Sequence, residues 1–83
     1  MKRWFVYIAR CTDDSLYTGI TTNYKRRIWQ HNTKLGAKSL KGKLPVELIY
    51  KETYNNQFDA ARREQEIKGW SRSKKLKLIK GLP

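Results

Sequence analysis

Apolar positions open the chain as an unbroken run. Trp4 to Cys11 is β-branched, aromatic and apolar on both alternating faces, which predicts a central strand covered on each side. Thr12-Asp13-Asp14-Ser15 has turn chemistry. Leu16 to Thr22 is a second β-prone run, interrupted by Gly19. A glycine inside a strand marks a bulge, or a close approach by backbone or ligand. The period then changes. Asn23 can cap a helix from Tyr24 to about Leu35, with Gly36 at its C′ position. At about 100° per residue, Tyr24, Ile28, His31 and Leu35 share one stripe, Arg27 borders it, and Lys25 and Arg26 point elsewhere.

Gly36 to Pro45 reads as a basic loop, and Val46 to Tyr54 as a third strand with mixed faces. Asn55 or Asn56 can start a second helix that Gly69 ends. On its wheel Phe58, Ala60, Ala61, Glu64 and Ile67 share a broad arc, with Glu64 at the middle and Arg62, Arg63 and Glu66 mostly outside. Ser71 or Ser73 can cap a short basic helix ending near Gly81, anchored by Leu76 and Ile79. The order is β-β-α-β-α-α, an α+β arrangement. The first two strands form an antiparallel hairpin, and the third must join the same sheet because a lone hairpin is marginal.

Length makes this one small domain, residues 1–83, with a modest core. Trp4, Phe5, Trp29, Trp70 and several tyrosines are candidates to fill it. Charge changes the picture more. With 19 Lys and Arg against 7 Asp and Glu, the net charge is +12. A field of that size favours phosphate backbones and predicts salt-sensitive binding. Cys11 stands alone, so no internal disulfide can form, which fits the cytoplasm. No apolar run is long enough to span a bilayer. Met1-Lys2-Arg3 and the run behind it read as a strand and not as a leader, since the run stops at Arg10 without a small-residue cleavage site.

Glu64 carries most of the chemical information. A carboxylate on an inward helical face is costly unless it is paired or metal-bound. A salt bridge to Arg27 or another basic group is one outcome. A site for Mg²⁺ built from one carboxylate, water and substrate oxygens is the other. Arg27 and His31 are an i, i+4 pair and can reach one spot, Arg27 as a clamp on phosphate and His31 as a proton shuttle. Tyr7 and Tyr17 can join them only if both reach the same face of the hairpin. That requires paired residue numbers with an even sum, from a loop of odd length or a bulge near Gly19. Lys34, Lys38, Lys41 and Lys43, with Arg72, Lys74, Lys75 and Lys77, are the expected holders of a nucleic-acid backbone.

Phe5-Val6-Tyr7 and Tyr17-Thr18-Gly19 stand where the two signature motifs of the GIY-YIG nuclease family fall, and the spacing through Arg27 and His31 to Glu64 follows that family's order. The chain resembles this family along nearly its whole length. The resemblance is strongest to its small stand-alone bacterial members of the UPF0213 type, through Leu16-Tyr17-Thr18-Gly19-Ile20-Thr21-Thr22, Arg26-Arg27 with His31-Asn32, and Ala61-Arg62-Arg63-Glu64. It implies a three-stranded antiparallel sheet flanked by helices, with Val6, Thr18 and Gly19 as structural motif positions. It also implies a divalent metal, Mg²⁺ or Mn²⁺, on Glu64, and in-line attack by water on a DNA phosphodiester. By the same resemblance Tyr7 is the general base, Tyr17 and His31 assist it, and Arg27 stabilises the phosphorane-like charge. His31 competes for the role of base, because a phenol normally titrates near 10 and an imidazole near 6.5, roughly.

Two departures stand out. The first motif lacks its Gly and Ile, and no Asn follows Asn56, where many family members carry one after the Glu. Trp70 and Ser71 occupy that region, and Trp70 is expected to pack. Larger members add a DNA-binding domain, so substrate choice here is expected to rest on the basic loop and last helix, or on a protein partner. The leading expectation is a metal-dependent endonuclease. Beside it stand a non-catalytic basic nucleic-acid-binding module and an interaction domain of a ribosomal or DNA-repair complex.

Overall fold

The computed structural model describes residues 2–33 and 42–81. Lys34, Leu35, Gly36, Lys38 and Lys41 lie outside them. Strands β1 (Trp4–Arg10), β2 (Leu16–Thr21) and β3 (Glu47–Tyr54) form one antiparallel sheet in the order β2-β1-β3. Helices α1 (Tyr24–Asn32), α2 (Gln57–Lys68) and α3 (Arg72–Ile79) complete the expected β-β-α-β-α-α order. The caps are those the sequence offers. Asn23, Asn56 and Ser71 each accept a backbone N–H three residues on, from Arg26, Asp59 and Lys74. Helix α1 ends earlier than its apolar stripe predicts, at Asn32 with Thr33 as its C-cap. The Asn32 side chain is anchored at that end. It donates to the Val46 carbonyl at 3.2 Å and accepts from the Val46 N–H at 2.7 Å, tying the helix end to the start of β3.

The central strand β1 is covered on both faces, as its continuous apolar run requires. Val6 and Ile8 meet Ala60 and Ile67 of α2, with Leu78 and Ile79 of α3 packed around them. Tyr7, Ala9 and Cys11 meet Val46 on the other face, with Ile28 of α1, Leu44 and Leu48. A bulge in β3 makes this division possible. Ile8 pairs with Tyr50 but Ala9 with Leu48, so Ile49 is extra. The extra residue resets the alternation: Ile49 and Tyr50 serve the α2 side, and Leu48 the α1 side.

Three expectations about packing are corrected. Trp29 and Phe58, both placed with the core, are 60% and 70% exposed. On α1, Trp29 stands 200° from His31 and so faces outward by the same geometry that turns His31 inward. Phe58 is in the first turn of α2, before the helix settles against the sheet, and the Arg62 guanidinium lies over its ring. Arg63, in contrast, is not an outward residue. Its Nε and Nη2 donate to the two Glu52 carboxylate oxygens at 2.9 and 3.0 Å, and Nη1 donates to Glu66. Tyr50 and Tyr54 add hydroxyl donors to Glu52 at 2.5 and 2.7 Å. Burial alone would raise the Glu52 carboxyl, but Arg63 and the two tyrosines hold it below the usual range. Tyr50, Glu52 and Tyr54 lie on one face of β3 by simple alternation, so the cluster fastens α2 to that strand.

Glu52→Ala should therefore lower the unfolding free energy by about 2 kcal/mol, since it strands three donors at a half-buried position. Urea denaturation checks this. A midpoint equal to that of the wild type would reduce the cluster to an ordinary surface pair.

Candidate active site

The β1–β2 register decides whether the two signature tyrosines meet. Phe5 pairs with Thr21, Tyr7 with Gly19 and Ala9 with Tyr17, an even sum throughout. The cause is the five-residue connection between the paired Arg10 and Leu16, and the pairing runs through Gly19 without a bulge. Its tight form rests on the Asp13 carboxylate, which accepts from the Ser15 N–H and hydroxyl at 3.0 and 2.6 Å. Tyr7 and Tyr17 consequently share the α1 face, with ring centroids 6.2 Å apart.

Gly19 has a specific task in this arrangement. A Cβ built there would lie 2.7 Å from the Tyr7 hydroxyl oxygen and 2.8 Å from its Cζ. The Tyr7 ring thus lies across the edge strand β2, over the one residue that leaves space for it. The close approach expected of this glycine is made by a side chain. Tyr7 is only 1% exposed, yet this path carries its hydroxyl toward the sheet edge.

His31 comes down on the same spot from α1. Its Nε2 is 2.9 Å from the Tyr7 hydroxyl, and its ring meets Tyr17 edge to face at 5.2 Å. Burial pushes the Tyr7 phenol up to about 12; Arg27 pulls against that rise, and Tyr17 and Glu64 add to it. Burial also pushes His31 below its ordinary value, and Arg27 adds to that shift. At neutral pH the pair is therefore a phenol facing a neutral imidazole, able to pass a proton across 2.9 Å. His31 Nδ1 and Thr18 Oγ1 are buried without a hydrogen-bond partner among the described residues.

Arg27 borders the pair as the helical wheel predicts, held by a hydrogen bond from its Nη1 to Gln30 Oε1 at 3.2 Å. Arg26 points outward and is exposed. Glu64 faces inward on α2, with its side chain 13% exposed. Its contact is Lys68 Nζ at 3.6 Å, one turn along the same helix, and among the described residues no ion pair joins it to Arg27. No group of three or more His, Cys, Asp or Glu side chains converges among the described residues. A closed, all-protein metal cage does not fit here. A hydrated Mg²⁺ held by one carboxylate does, because the Glu64 oxygens have no hydrogen-bond donor among the described residues.

The remaining basic residues divide. Lys43 pairs with Asp13 at 3.6 Å, and Arg72 donates to the Asp14 carbonyl at 2.6 Å. Both hold the β1–β2 turn. Lys74 lies over the Trp70 ring at 4.3 Å, and Arg63 lies 5.0 Å from the same ring. Trp70 packs with the α2-side core, as expected. Lys77 is exposed and Lys75 half-buried. Sequence reasoning passed over Gln30 and the Glu52–Arg63 cluster. The period-two spacing of Tyr50, Glu52 and Tyr54 was the available signal for the latter.

The site thus gathers a buried strand tyrosine lying over a strand glycine, a helix histidine bonded to it, an arginine beside them and a helix carboxylate paired with Lys68. Residues 3–77 match the family model described as the GIY-YIG catalytic domain, and the chain belongs to that family. Its relatives are UPF0213 proteins. One from Staphylococcus haemolyticus is 51% identical over 79 residues, covering 95% of this chain and 96% of that one. One from Staphylococcus aureus is 48% identical over 80 residues, covering 96% and 98%. The solution NMR structure of a UPF0213 protein from Bacillus halodurans is 40% identical, with a TM-score of 0.61 over 94% of this chain and 83% of that one. No helix among the described residues is long and apolar enough to cross a membrane.

Two outcomes follow from the geometry. Gly19→Ala should displace the Tyr7 ring and destabilise the fold by about 1–3 kcal/mol, read by thermal unfolding. Because the His31 value is lowered in the folded state, its contribution is full above about 6.5 and is lost as pH falls through the lower folded value. The thermal midpoint should drop on acidification from pH 7 to 5, and less steeply in His31→Gln.

Proposed function

We propose that this domain is an endonuclease that hydrolyses DNA phosphodiester bonds with one divalent cation, Mg²⁺ or Mn²⁺, held by Glu64. The supporting observation is the 2.9 Å contact between the Tyr7 phenol and the His31 imidazole, beside Arg27 and a sparsely partnered carboxylate. A bound cation would supply Lewis-acid charge at the phosphate and leaving oxygens. Arg27 offers its guanidinium fork to the same phosphate.

The raised phenol and the neutral imidazole favour His31 as the base. A phenol raised to about 12 is not a resting phenolate at neutral pH. Tyr7 accepts a proton from the attacking water as it passes its own to His31 Nε2, so His31 is the final holder and Tyr7 the relay. Tyr17 holds the imidazole from its edge. The +12 charge brings the anionic polymer to the site, and the exposed Lys77 is among the residues that meet its backbone. The buried free Cys11 thiol accords with a cytoplasmic setting.

Nicking of supercoiled plasmid at low salt, with Mg²⁺, Mn²⁺ or EDTA, tests the reading. Wild type should cut only with metal. Tyr7→Phe should cut at least about 100-fold more slowly, and Glu64→Gln should not respond to metal while binding DNA within about twofold of wild type. The rate should rise from acid pH to a plateau, with its half-point below the ordinary histidine value of about 6.5. Equal cutting by wild type and Glu64→Gln removes Glu64 from the mechanism. Metal-independent DNA binding without cutting would make the domain a binding module instead.

A further inference from the structure

The outer face of α1 carries a feature that the cleavage chemistry does not use. Trp29 is 60% exposed, whereas Trp4 and Trp70 pack against the α2-side core. Phe5, Tyr24, Phe58 and Trp70 each have a cation over the ring; the Trp29 indole meets neither a ring nor a cation among the described residues. Lys25 and Arg26, four and three residues earlier, lie on the same side of the helix and are exposed. Neither has a carboxylate partner among the described residues, and α1 contains no acidic residue. A flat, open π-face beside two free cations matches a nucleotide: a base stacks on the ring while its phosphates meet the charges. Within a duplex paired bases keep their faces inside the stack, so away from duplex ends the ring is covered by an unpaired one.

We infer that Trp29, with Lys25 and Arg26, forms a stacking platform for an unpaired nucleotide, which gives the domain a preference for DNA with a single-stranded segment. The inference rests on the nucleic-acid part of the proposed function and is independent of turnover. Helix α1 presents this platform on one side and Arg27 and His31 on the other. The helix with its side chains is about 10 Å across, so the platform holds a strand one helix width from the site.

Fluorescence anisotropy of labelled oligo(dT) and of a duplex of equal length, in EDTA so that neither is cut, tests it. Trp29→Ala should bind oligo(dT) about tenfold more weakly, and the duplex within about twofold of wild type. Trp29→Phe should recover most of the loss, because a second aromatic ring restores the stack. Lys25→Gln with Arg26→Gln should weaken both ligands and reduce the salt slope on the single strand by about 1.4. Trp29→Ala binding oligo(dT) like wild type, or losing the same factor on both ligands, overturns the inference alone. Binding of neither ligand by wild type overturns the nucleic-acid reading with it. A wild-type dimer in sedimentation that Trp29→Ala dissociates would show that a second copy covers this face, which also overturns it.

Discussion

The packing of the Tyr7 ring across Gly19 is the constraint on which the site depends. Any side chain at residue 19 would occupy the phenol's position. With glycine there, a residue from the centre of the sheet reaches over the edge strand without leaving the core. Its ring stays buried and its hydroxyl meets His31. Both partners of that contact stay neutral because burial penalises either charge. The result is a proton pair fixed by packing on three sides, by β2 below, by α1 above and by the Tyr17 ring beside it.

The rest of the fold fastens two helices to the sheet that carries Tyr7. Helix α1 is fastened at its end by the Asn32 amide to the Val46 backbone. Helix α2 is fastened on the opposite face by the Glu52–Arg63 cluster and by the Ala60 and Ile67 contacts with β1. Arg63 and Glu64 are neighbours in sequence and serve different ends. One anchors the helix to β3, and the other turns a carboxylate inward beside Lys68. The β3 bulge at Ile49 lets one strand support both cores.

The large positive charge is distributed by use. Arg63 is saturated by carboxylates, and Arg72 and Lys43 brace the β1–β2 turn. Lys51 sits over Tyr24 and Phe5, and Lys74 over Trp70. Lys25 and Arg26 have no such engagement among the described residues, and they flank the exposed indole of Trp29. The charge of Lys25 and Arg26 is thus distinct from the charge that supports the fold.

Local patterning was enough to read the order of elements, the Asn23 cap, the other two caps to within a choice of two residues, and the inward faces of His31 and Glu64. These follow from hydrogen-bonding chemistry and from helical and strand periods, which are properties of neighbouring residues. The ordered Tyr7, Tyr17, Arg27, His31 and Glu64 set pointed to the family for the same reason. Tertiary structure decided what depends on distant partners. The hairpin register brought both tyrosines to one face through a five-residue turn, where either turn length or a bulge would have served. Arg63 turned inward because Glu52, eleven residues away on another element, was there to receive it. Trp29 stayed outside because nothing packs over the outer face of α1 among the described residues. Periodicity tells which way a side chain points from its own element; only the assembled chain supplies, or withholds, the surface that covers it.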